Sequence, residues 1–179
     1  FADKGLRVFD VEELPTHGGS LRVYACRKDA RWTEQPGVAK VRADEAAAKL
    51  DSEEGYQGFA EKVQAVRDGL LQFLNSAKVQ GKTVAAYGAA AKGNTLLNYC
   101  QVGPDLIAYC VDRNPAKQNT LLPGSRIPVH DVDHLRKVQP DFVLILPWNL
   151  KAEVINQLAD LRKGGTRFVT AVPETTITV

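Results

Sequence analysis

The sequence predicts an α/β fold in which helices cover both faces of a mostly parallel sheet, preceded by a β-hairpin and a long helix. Three observations support this prediction. From residue 81 onward, short apolar runs alternate with helical patterns, which is typical of a sheet whose strands are connected by helices. The run DFVLIL at 141–146 is apolar without alternation, as expected for a strand buried on both faces. Before residue 81, apolar residues recur at helical spacing from Tyr56 to Leu74. Together these patterns indicate a Rossmann-like arrangement.

The first 80 residues contain two strand patterns and two helical patterns. Residues 6–14 and 20–28 alternate as strands around the glycine-containing connection 15–19, which predicts a hairpin within residues 1–30. Because an isolated hairpin is only marginally stable in water, we expect it to join a sheet supplied by residues before Phe1. Residues 31–80 are predicted to form a linker around Pro36, a short helix over 43–50, and a long helix that begins near Ser52.

Residues 81–179 form the predicted Rossmann-like domain. Its expected strands, in chain order, are 83–87, 106–111, a short edge strand at 127–129, 141–146 and 167–172. The first expected helix runs through Leu96, Leu97 and Tyr99, and the others cover 131–138 and 150–162.

Composition narrows the classes of partner and compartment. The net charge is +2, with 23 basic and 21 acidic residues scattered along the chain, so we expect neither nucleic acid nor a membrane surface as the main partner. Three widely spaced cysteines are typical of reduced thiols in a cytoplasmic protein. The chain starts at Phe1 and has no methionine, and we expect it to be a fragment of a longer protein.

The first strand of the domain runs into the loop GAAAKGNT (88–95) and then a helix. Small residues at such a turn let a ligand approach the backbone, and the amides of the helix N-terminus attract anions. Lys92 adds a positive charge. The glycine spacing matches neither G-x-G-x-x-G nor the Walker A loop. Gly88 and Gly93 could equally serve tight packing between helix and strand, and Lys92 could be a solvated surface residue.

Two further features follow other predicted strands at the same sheet edge. Asp112 ends the second strand, 24 positions after Gly88, where an acidic side chain can accept hydrogen bonds from ribose hydroxyls. Trp148 and Asn149 follow the strand 141–146, and Trp148 offers a stacking face. The alternative interpretations are structural: Asp112 could initiate a turn, Trp148 could lie in the core, and Asn149 could cap the next helix.

The histidines give weaker signals. His17 lies in a glycine-containing loop, and by itself this position is typical of an exposed turn residue. His130 and His134 are spaced as a possible metal pair, but no carboxylate or thiol completes a set, so we expect surface residues and no metal site in this chain. No arrangement typical of nucleophilic catalysis or of paired carboxylates occurs. The sequence indicates a binding architecture more clearly than a catalytic one.

Five motifs occur in order along nearly the whole chain: THGGSLRVY (16–24), YGAAAKGNTLLNY (87–99), DRNPAKQ (112–118), PGSRIPV (123–129) and LPWN (146–149). The first resembles the segment that closes the S-adenosylmethionine domain of sugar C-methyltransferases acting on dTDP-linked keto-deoxysugars. The other four resemble the C-terminal domain of that family. The resemblance implies three parts: an N-terminal zinc-binding domain, a middle methyltransferase domain ending at residues 1–30 of this chain, and a Rossmann-like C-terminal domain.

The resemblance also implies roles for residues. The family's Tyr-His-Glu-His stretch and its zinc-binding cysteines would lie before Phe1, so we expect the isolated chain to be inactive and S-adenosylmethionine to bind mainly outside it. His17 and Ser20 would support proton transfer, whereas the main base would lie upstream. From the geometry of the fold, and not from the motifs, we expect the C-terminal domain to anchor the nucleotide-linked keto sugar. The residues expected to contact this substrate are Gly88, Ala89, Lys92, Gly93, Asn94, Thr95, Asp112, Trp148 and Asn149.

Two other hypotheses stay open at this point. The chain could be a free-standing or regulatory module that binds NAD or another nucleotide through the Gly88 loop and Asp112. It could also be a structural duplicate that only braces its neighbour, since a shared fold does not imply a shared function.

Overall fold

The structure is a computed structural model that describes residues 1–178. The chain forms two compact units, one from Phe1 to Phe59 and the other from Ala60 onward. Its helices surround a mostly parallel sheet, so the fold is α/β, which confirms the predicted fold class. No helix in the described part of the chain is long and apolar enough to cross a membrane.

The first unit contains the predicted hairpin. Strands β1 (Leu6–Leu14) and β2 (Ser20–Arg27) pair in antiparallel register, with Leu14 opposite Ser20 and an irregularity between Val8 and Asp10. A 3₁₀ turn over Thr16–Gly18 connects them. Apolar side chains of β2 remain on the surface of this unit, since Leu21 is 50% exposed.

A helix replaces part of the predicted linker. Helix α1 (Pro36–Ala47) begins with Pro36 in its first turn, a position that suits proline because the missing N–H has no partner in the helix. A Cβ at Gly37 would collide with the carbonyl oxygen of Val11, so glycine lets α1 approach β1 closely. The prediction of a linker around Pro36 was therefore wrong from Pro36 onward, because Pro36 and Gly37 begin a helix and allow it to pack.

The second unit opens with the predicted long helix. Helix α2 (Phe59–Val79) starts later than Ser52, because residues Glu53–Tyr56 form a separate 3₁₀ turn and Gly58 has a φ of +76°. The remaining elements, in order, are β3 (Val84–Tyr87), α3 (Ala91–Tyr99), β4 (Cys110–Val111), β5 (Thr120–Leu121), β6 (Pro128–His130), α4 (Asp133–Val138), β7 (Phe142–Ile145), α5 (Lys151–Gln157), α6 (Ala159–Lys163), β8 (Arg167–Thr170) and β9 (Thr176–Thr178).

These strands form a seven-stranded sheet in the order β5-β6-β4-β3-β7-β8-β9. The pairs from β6 through β8 are parallel, whereas the outer strands β5 and β9 are antiparallel to their neighbours. The expectation that residues 127–129 form an edge strand was wrong, because β5 pairs outside β6. Proline is tolerated there because the carbonyls on either side of Pro128, of Ile127 and Val129, accept the hydrogen bonds from the β5 segment.

Helices pack on both faces of this sheet. One core contains Leu70 and Leu74 of α2 and Leu97 of α3, and the other contains Leu135 of α4 and Val154 of α5. The single predicted helix over 150–162 is divided into α5 and α6 at Leu158. This layered packing confirms the Rossmann-like prediction and leaves the carboxyl ends of the parallel strands as an open edge.

Candidate functional site

The sheet order identifies where a ligand of this fold class would bind. Strand β3 lies in the middle, with β4 and β6 on one side and β7 and β8 on the other. The chain therefore reverses direction across the sheet between β6 and β7, and the switch point lies at the carboxyl ends of β3 and β7. Open α/β sheets bind ligands in this crevice. The loop leaving β3 and the loop leaving β7 both contribute to it.

These two loops touch at Gly88. Its φ is +90°, and a Cβ placed there would lie 2.7 Å from Cδ and 2.9 Å from Cγ of Pro147. Glycine is thus needed both for its backbone conformation and for the close approach of the β7 loop. Gly93 serves a similar purpose one helical turn later, since a Cβ there would lie 2.5 Å from Cβ of Leu146. Both glycines therefore have the packing role that was the alternative interpretation of the sequence.

Three of the predicted residues form one cluster beside this contact. The Nζ of Lys92, in the first turn of α3, donates a hydrogen bond to Oδ1 of Asn149 at 2.9 Å. The same Nζ lies 4.9 Å from the centroid of the Trp148 ring, which is a cation–π distance. Trp148 and Asn149 are half-buried in the 3₁₀ turn that follows β7. The Lys92 cluster, meaning Lys92, Trp148 and Asn149, thus brings a cation, an indole ring and an amide together at the sheet edge.

Helix α3 begins without a side-chain cap. Its N-cap residue is Ala90, which provides no side-chain acceptor for the first amides of the helix. The first-turn N–H groups of a helix have no partner within it, and the helix dipole adds partial positive charge at the same end. An anionic group at this position would meet these amides together with the Lys92 ammonium.

The loop before α3 has its own polar groups satisfied. The Gly88 N–H donates to the carbonyl of Val111 at 2.7 Å, and the Ala90 N–H donates to the carbonyl of Gly88 at 2.8 Å. The Ala89 N–H donates to Oδ2 of Asp112 at 2.8 Å. The amides of 88–90 are thus directed into the protein, so a ligand would meet the first turn of α3.

Asp112 is the centre of this internal network. It is 9% exposed, and its Oδ1 accepts a hydrogen bond from the Asn114 N–H at 2.8 Å. Its Oδ2 accepts from Ala89 and also from Nζ of Lys117, at 3.3 Å. Both oxygens therefore have partners in the chain itself. This arrangement matches the turn-forming interpretation and does not present the carboxylate to ribose hydroxyls.

Lys117 is a residue that the sequence analysis missed. Its Nζ donates to the carbonyl oxygen of Ala89 at 2.8 Å in addition to its contact with Asp112. The motif DRNPAKQ contains both partners five positions apart, but nothing in that spacing indicates that the lysine folds back onto the loop after β3.

A cleft of about 400 Å³ flanks the first turns of α3. Ala91 and Asn94 line one side, and Lys117, Thr120 and Pro123 line the other. The Oδ1 of Asn94 is buried and has no hydrogen-bond partner among the described residues. Thr95, the next predicted contact, is exposed, and its hydroxyl donates to the carbonyl of Ala91 at 3.1 Å.

His17 and Ser20 both lie at the turn of the hairpin in the first unit. The Oγ of Ser20 donates to the carbonyl oxygen of Thr16 at 2.9 Å and so closes the turn. His17 is exposed and has a left-handed backbone, with φ of +56°. Their supporting role in proton transfer stays a prediction.

His130 and His134 are not the surface residues that the sequence suggested. Both are half-buried, and their rings stack with centroids 4.2 Å apart beside the buried Tyr109. Burial and the neighbouring His130 lower the pKa of His134. Within residues 1–178, no group of three or more histidine, cysteine, aspartate or glutamate side chains is placed to hold a metal ion.

Comparison with known proteins gives a consistent result. C-methyltransferase NovU of Streptomyces niveus is 36% identical to this chain over 174 residues, which is 97% of the chain and 41% of the relative. The chain therefore spans less than half of that protein. Among solved structures, UDP-D-quinovosamine 4-dehydrogenase from Vibrio fischeri matches 50% of this chain and 76% of its own chain, with 21% sequence identity and a TM-score of 0.39. This likeness is too low to add to the fold assignment.

Most of the chain matches a known protein family. The family described as C-methyltransferase C-terminal domain matches residues 15–173. The match includes the hairpin turn, the loop before α3, the Asp112 network and the Lys92 cluster. The chain belongs to the family of C-methyltransferase C-terminal domains.

Proposed function

We propose that this chain anchors the substrate in an S-adenosylmethionine-dependent C-methyltransferase that acts on a nucleotide-linked keto sugar. Family membership and the 36% identity to a C-methyltransferase support the methyltransferase part of the proposal. Because the chain spans 41% of that relative, we assign the methyl transfer to a longer protein. In that protein residues 1–30 would end the methyltransferase domain, 31–80 would connect it to the next domain, and 81–179 would hold the substrate.

The Lys92 cluster is the observation that carries the anchoring role. It places an ammonium group within 4.9 Å of the centroid of an indole ring and 2.9 Å from an amide oxygen. The uncapped N-terminus of α3 lies at the same edge. A sugar nucleotide offers a diphosphate for the cation and helix amides, and ring faces that can stack on Trp148.

Asp112 has a different role in this proposal from the one that its position predicts. Its two carboxylate oxygens accept hydrogen bonds from Ala89, Asn114 and Lys117, so it holds the loop that precedes α3. A dinucleotide or S-adenosylmethionine bound here would lack the acidic ribose partner typical of such folds. We therefore place S-adenosylmethionine outside this domain. The zinc that the resemblance implies would belong to the family's N-terminal domain, outside this chain.

The chemistry assigned to this chain is correspondingly limited. When bound to the longer protein, S-adenosylmethionine supplies the methyl group. The main base that removes the proton beside the keto group would lie outside this chain, within hydrogen-bond reach of that proton. His17 and Ser20 at the hairpin turn would position groups or relay a proton.

A purely bracing role is favoured by a specific observation and is the second candidate. Pro147 lies so close to Gly88, and Leu146 so close to Gly93, that neither position has room for a Cβ, so the loop after β7 packs tightly against the loop after β3. A brace would need these contacts and no ligand. The two roles differ in what the exposed Lys92 does, because its ammonium is dispensable for packing.

The deciding experiment is calorimetric titration of the chain with dTDP, a dTDP-linked sugar, S-adenosylmethionine and NAD in parallel. We expect the two dTDP ligands to bind, and Lys92→Ala to weaken their binding. The matched control is Lys163→Ala, because Lys163 is also an exposed helical lysine but lies just before β8, at the opposite edge of the sheet. Binding of NAD alone would contradict the anchoring of a nucleotide-linked sugar by this chain. No binding of any of the four would contradict anchoring by this chain alone, and would mean either that other domains of the longer protein complete the site or that this domain is only a brace.

A further inference from the structure

We infer that Lys117 is a positioning residue of this site, which fixes the conformation of the loop 88–90 and thereby orients the first turn of α3. The inference rests on the proposed function only in naming what the loop is positioned for. The Ala89 latch, as we call it, consists of Ala89, Asp112 and Lys117.

The latch holds the peptide groups on both sides of one residue. The N–H of Ala89 donates to Oδ2 of Asp112 at 2.8 Å, and the carbonyl oxygen of Ala89 accepts from Nζ of Lys117 at 2.8 Å. The ammonium and the carboxylate are themselves 3.3 Å apart. Two consecutive peptide planes are thus fixed by a single ion pair, which leaves the backbone at Ala89 little freedom to rotate.

The latch is anchored to the sheet rather than to the loop that it holds. The Asp112 N–H donates to the carbonyl of His130 at 3.1 Å. The backbone carbonyl of Asp112 accepts from Nε2 of Gln118 at 2.9 Å, and its side chain accepts from the Asn114 N–H. The carboxylate therefore has a fixed position at the end of β4, and Ala89 is tied to that position.

Lys117 provides what a neutral residue at this position would not. The Asp112 side chain is only 12% exposed, whereas that of Lys117 is 41% exposed, so the lysine brings a compensating charge to a carboxylate shielded from water. A buried carboxylate is costly unless it is paired and hydrogen-bonded. Without Lys117, the Ala89 carbonyl would lose its side-chain donor and Asp112 would keep only amide donors.

A change in the backbone at Ala89 would also change the groups that we expect to contact the ligand. Ala89 is followed directly by Ala90, the N-cap of α3, and by the turn that contains Lys92. A rotation at Ala89 would tilt the first amides of α3 and displace Lys92 from Trp148 and Asn149. Small misplacements of positioning groups have large effects on binding and catalysis.

Lys117 also lines the 400 Å³ cleft, so a direct contact with ligand is the competing explanation. The two explanations differ in a measurement that needs no ligand. If Lys117 holds the loop, its removal loosens the Ala89 amide in the free protein. If it contacts only the ligand, that amide is unaffected.

The test compares Lys117→Met with the control Lys163→Met by NMR amide hydrogen exchange and by dTDP titration. We expect Lys117→Met to speed exchange of the Ala89 amide roughly tenfold, since local opening sets exchange rates and one charged hydrogen bond is worth about that factor. We expect dTDP binding to weaken in parallel, and Lys163→Met to change neither quantity. Lys117→Arg, which keeps the charge and the donors, should recover much of the protection.

Each result has a distinct meaning. Unchanged exchange at Ala89 in Lys117→Met would overturn the positioning role, whatever happens to dTDP binding. Failure of the unaltered chain to bind dTDP would contradict the proposed function, but the exchange comparison would still decide whether the latch holds the loop. Should Lys117→Met fail to fold, Lys117→Gln retains a donor without the charge, and the same exchange measurement on it is decisive.

Discussion

Replacing Gly88 with alanine should destabilise the α/β unit by more than its backbone conformation alone explains. A φ of +90° is unfavourable for alanine, and such strain costs about 1–3 kcal/mol. The new Cβ would also lie 2.7 Å from Cδ of Pro147, and overpacking of this kind costs about 1–3 kcal/mol. The sum is a loss of about 2–6 kcal/mol in the free energy of unfolding, with the contact contributing about half.

A second glycine isolates the contribution of the contact. Gly165 has a similar φ of +97°, but a Cβ there would have nothing within 4 Å. Gly165→Ala should therefore cost only the strain, about 1–3 kcal/mol. The difference between the two variants measures how rigidly Pro147 is held against the loop after β3.

The assay is urea unfolding followed by far-UV circular dichroism, with the free energy extrapolated to water for each variant. The reasoning is refuted if Gly88→Ala costs no more than Gly165→Ala. That result would mean that Pro147 moves aside freely and that the loop after β7 is not held rigidly against the loop after β3. The same variants should be titrated with dTDP, because displacement of Pro147 would also move the adjacent Trp148.

Two predictions concern acid. The carboxylate of Asp141 accepts hydrogen bonds from Lys82 and from Thr83, which lower its pKa to about 2. This folded-state pKa lies below the pKa in the unfolded chain. The stability that results is therefore present above about pH 4 and is lost as the pH falls toward 2. Asp141→Asn should therefore cost about 0.5–2 kcal/mol at pH 7 and much less near pH 2, and equal losses in urea unfolding at both pH values would contradict this. Burial, followed by the charge of His130, lowers the pKa of His134, so the unfolded chain binds protons that the folded one resists, and stability should fall as the pH drops below about 6.5. In His134→Gln, the melting temperature should therefore fall less between pH 7.5 and pH 5.5 than it does in the unaltered chain. An equal fall in both proteins would refute the assignment.

The sequence predicts β3, β7, β8 and the long helix well, because these elements are defined by their own pattern, whereas the strand predicted over 106–111 is only the two-residue β4. Burial on both faces makes β7 continuously apolar, and the helical spacing of α2 reflects one buried stripe. The short elements could not be predicted in this way. Strands β5 and β9 have two and three residues and exist because neighbouring strands pair with them. Their positions are set by tertiary hydrogen bonds rather than by a local pattern.

For the candidate site, the sequence likewise predicted which residues take part, but not how they contact one another. Lys92, Trp148 and Asn149 could be chosen from the sequence because each follows a predicted strand or begins a predicted helix at one sheet edge, and the topology then brings them together. Their contact with one another required the structure, because it depends on how far the β7 loop leans over Gly88. The glycines themselves were ambiguous, since close packing and ligand approach require the same absence of a side chain.

Asp112 shows why position in a fold identifies a candidate and not its role. An acidic residue at the end of the second strand is where ribose hydroxyls are bound in related architectures, and the prediction from sequence follows that rule. The rule assumes a carboxylate with oxygens to spare, and here the Ala89 amide, the Asn114 amide and the Lys117 ammonium already bind them. A group that a fold commonly offers to a ligand is used in this chain to hold the loop at which the ligand would bind. The loss of affinity expected from Asp112→Asn is therefore indirect, and it should be accompanied by faster exchange of the Ala89 amide in the free protein, which a lost ribose contact would not produce.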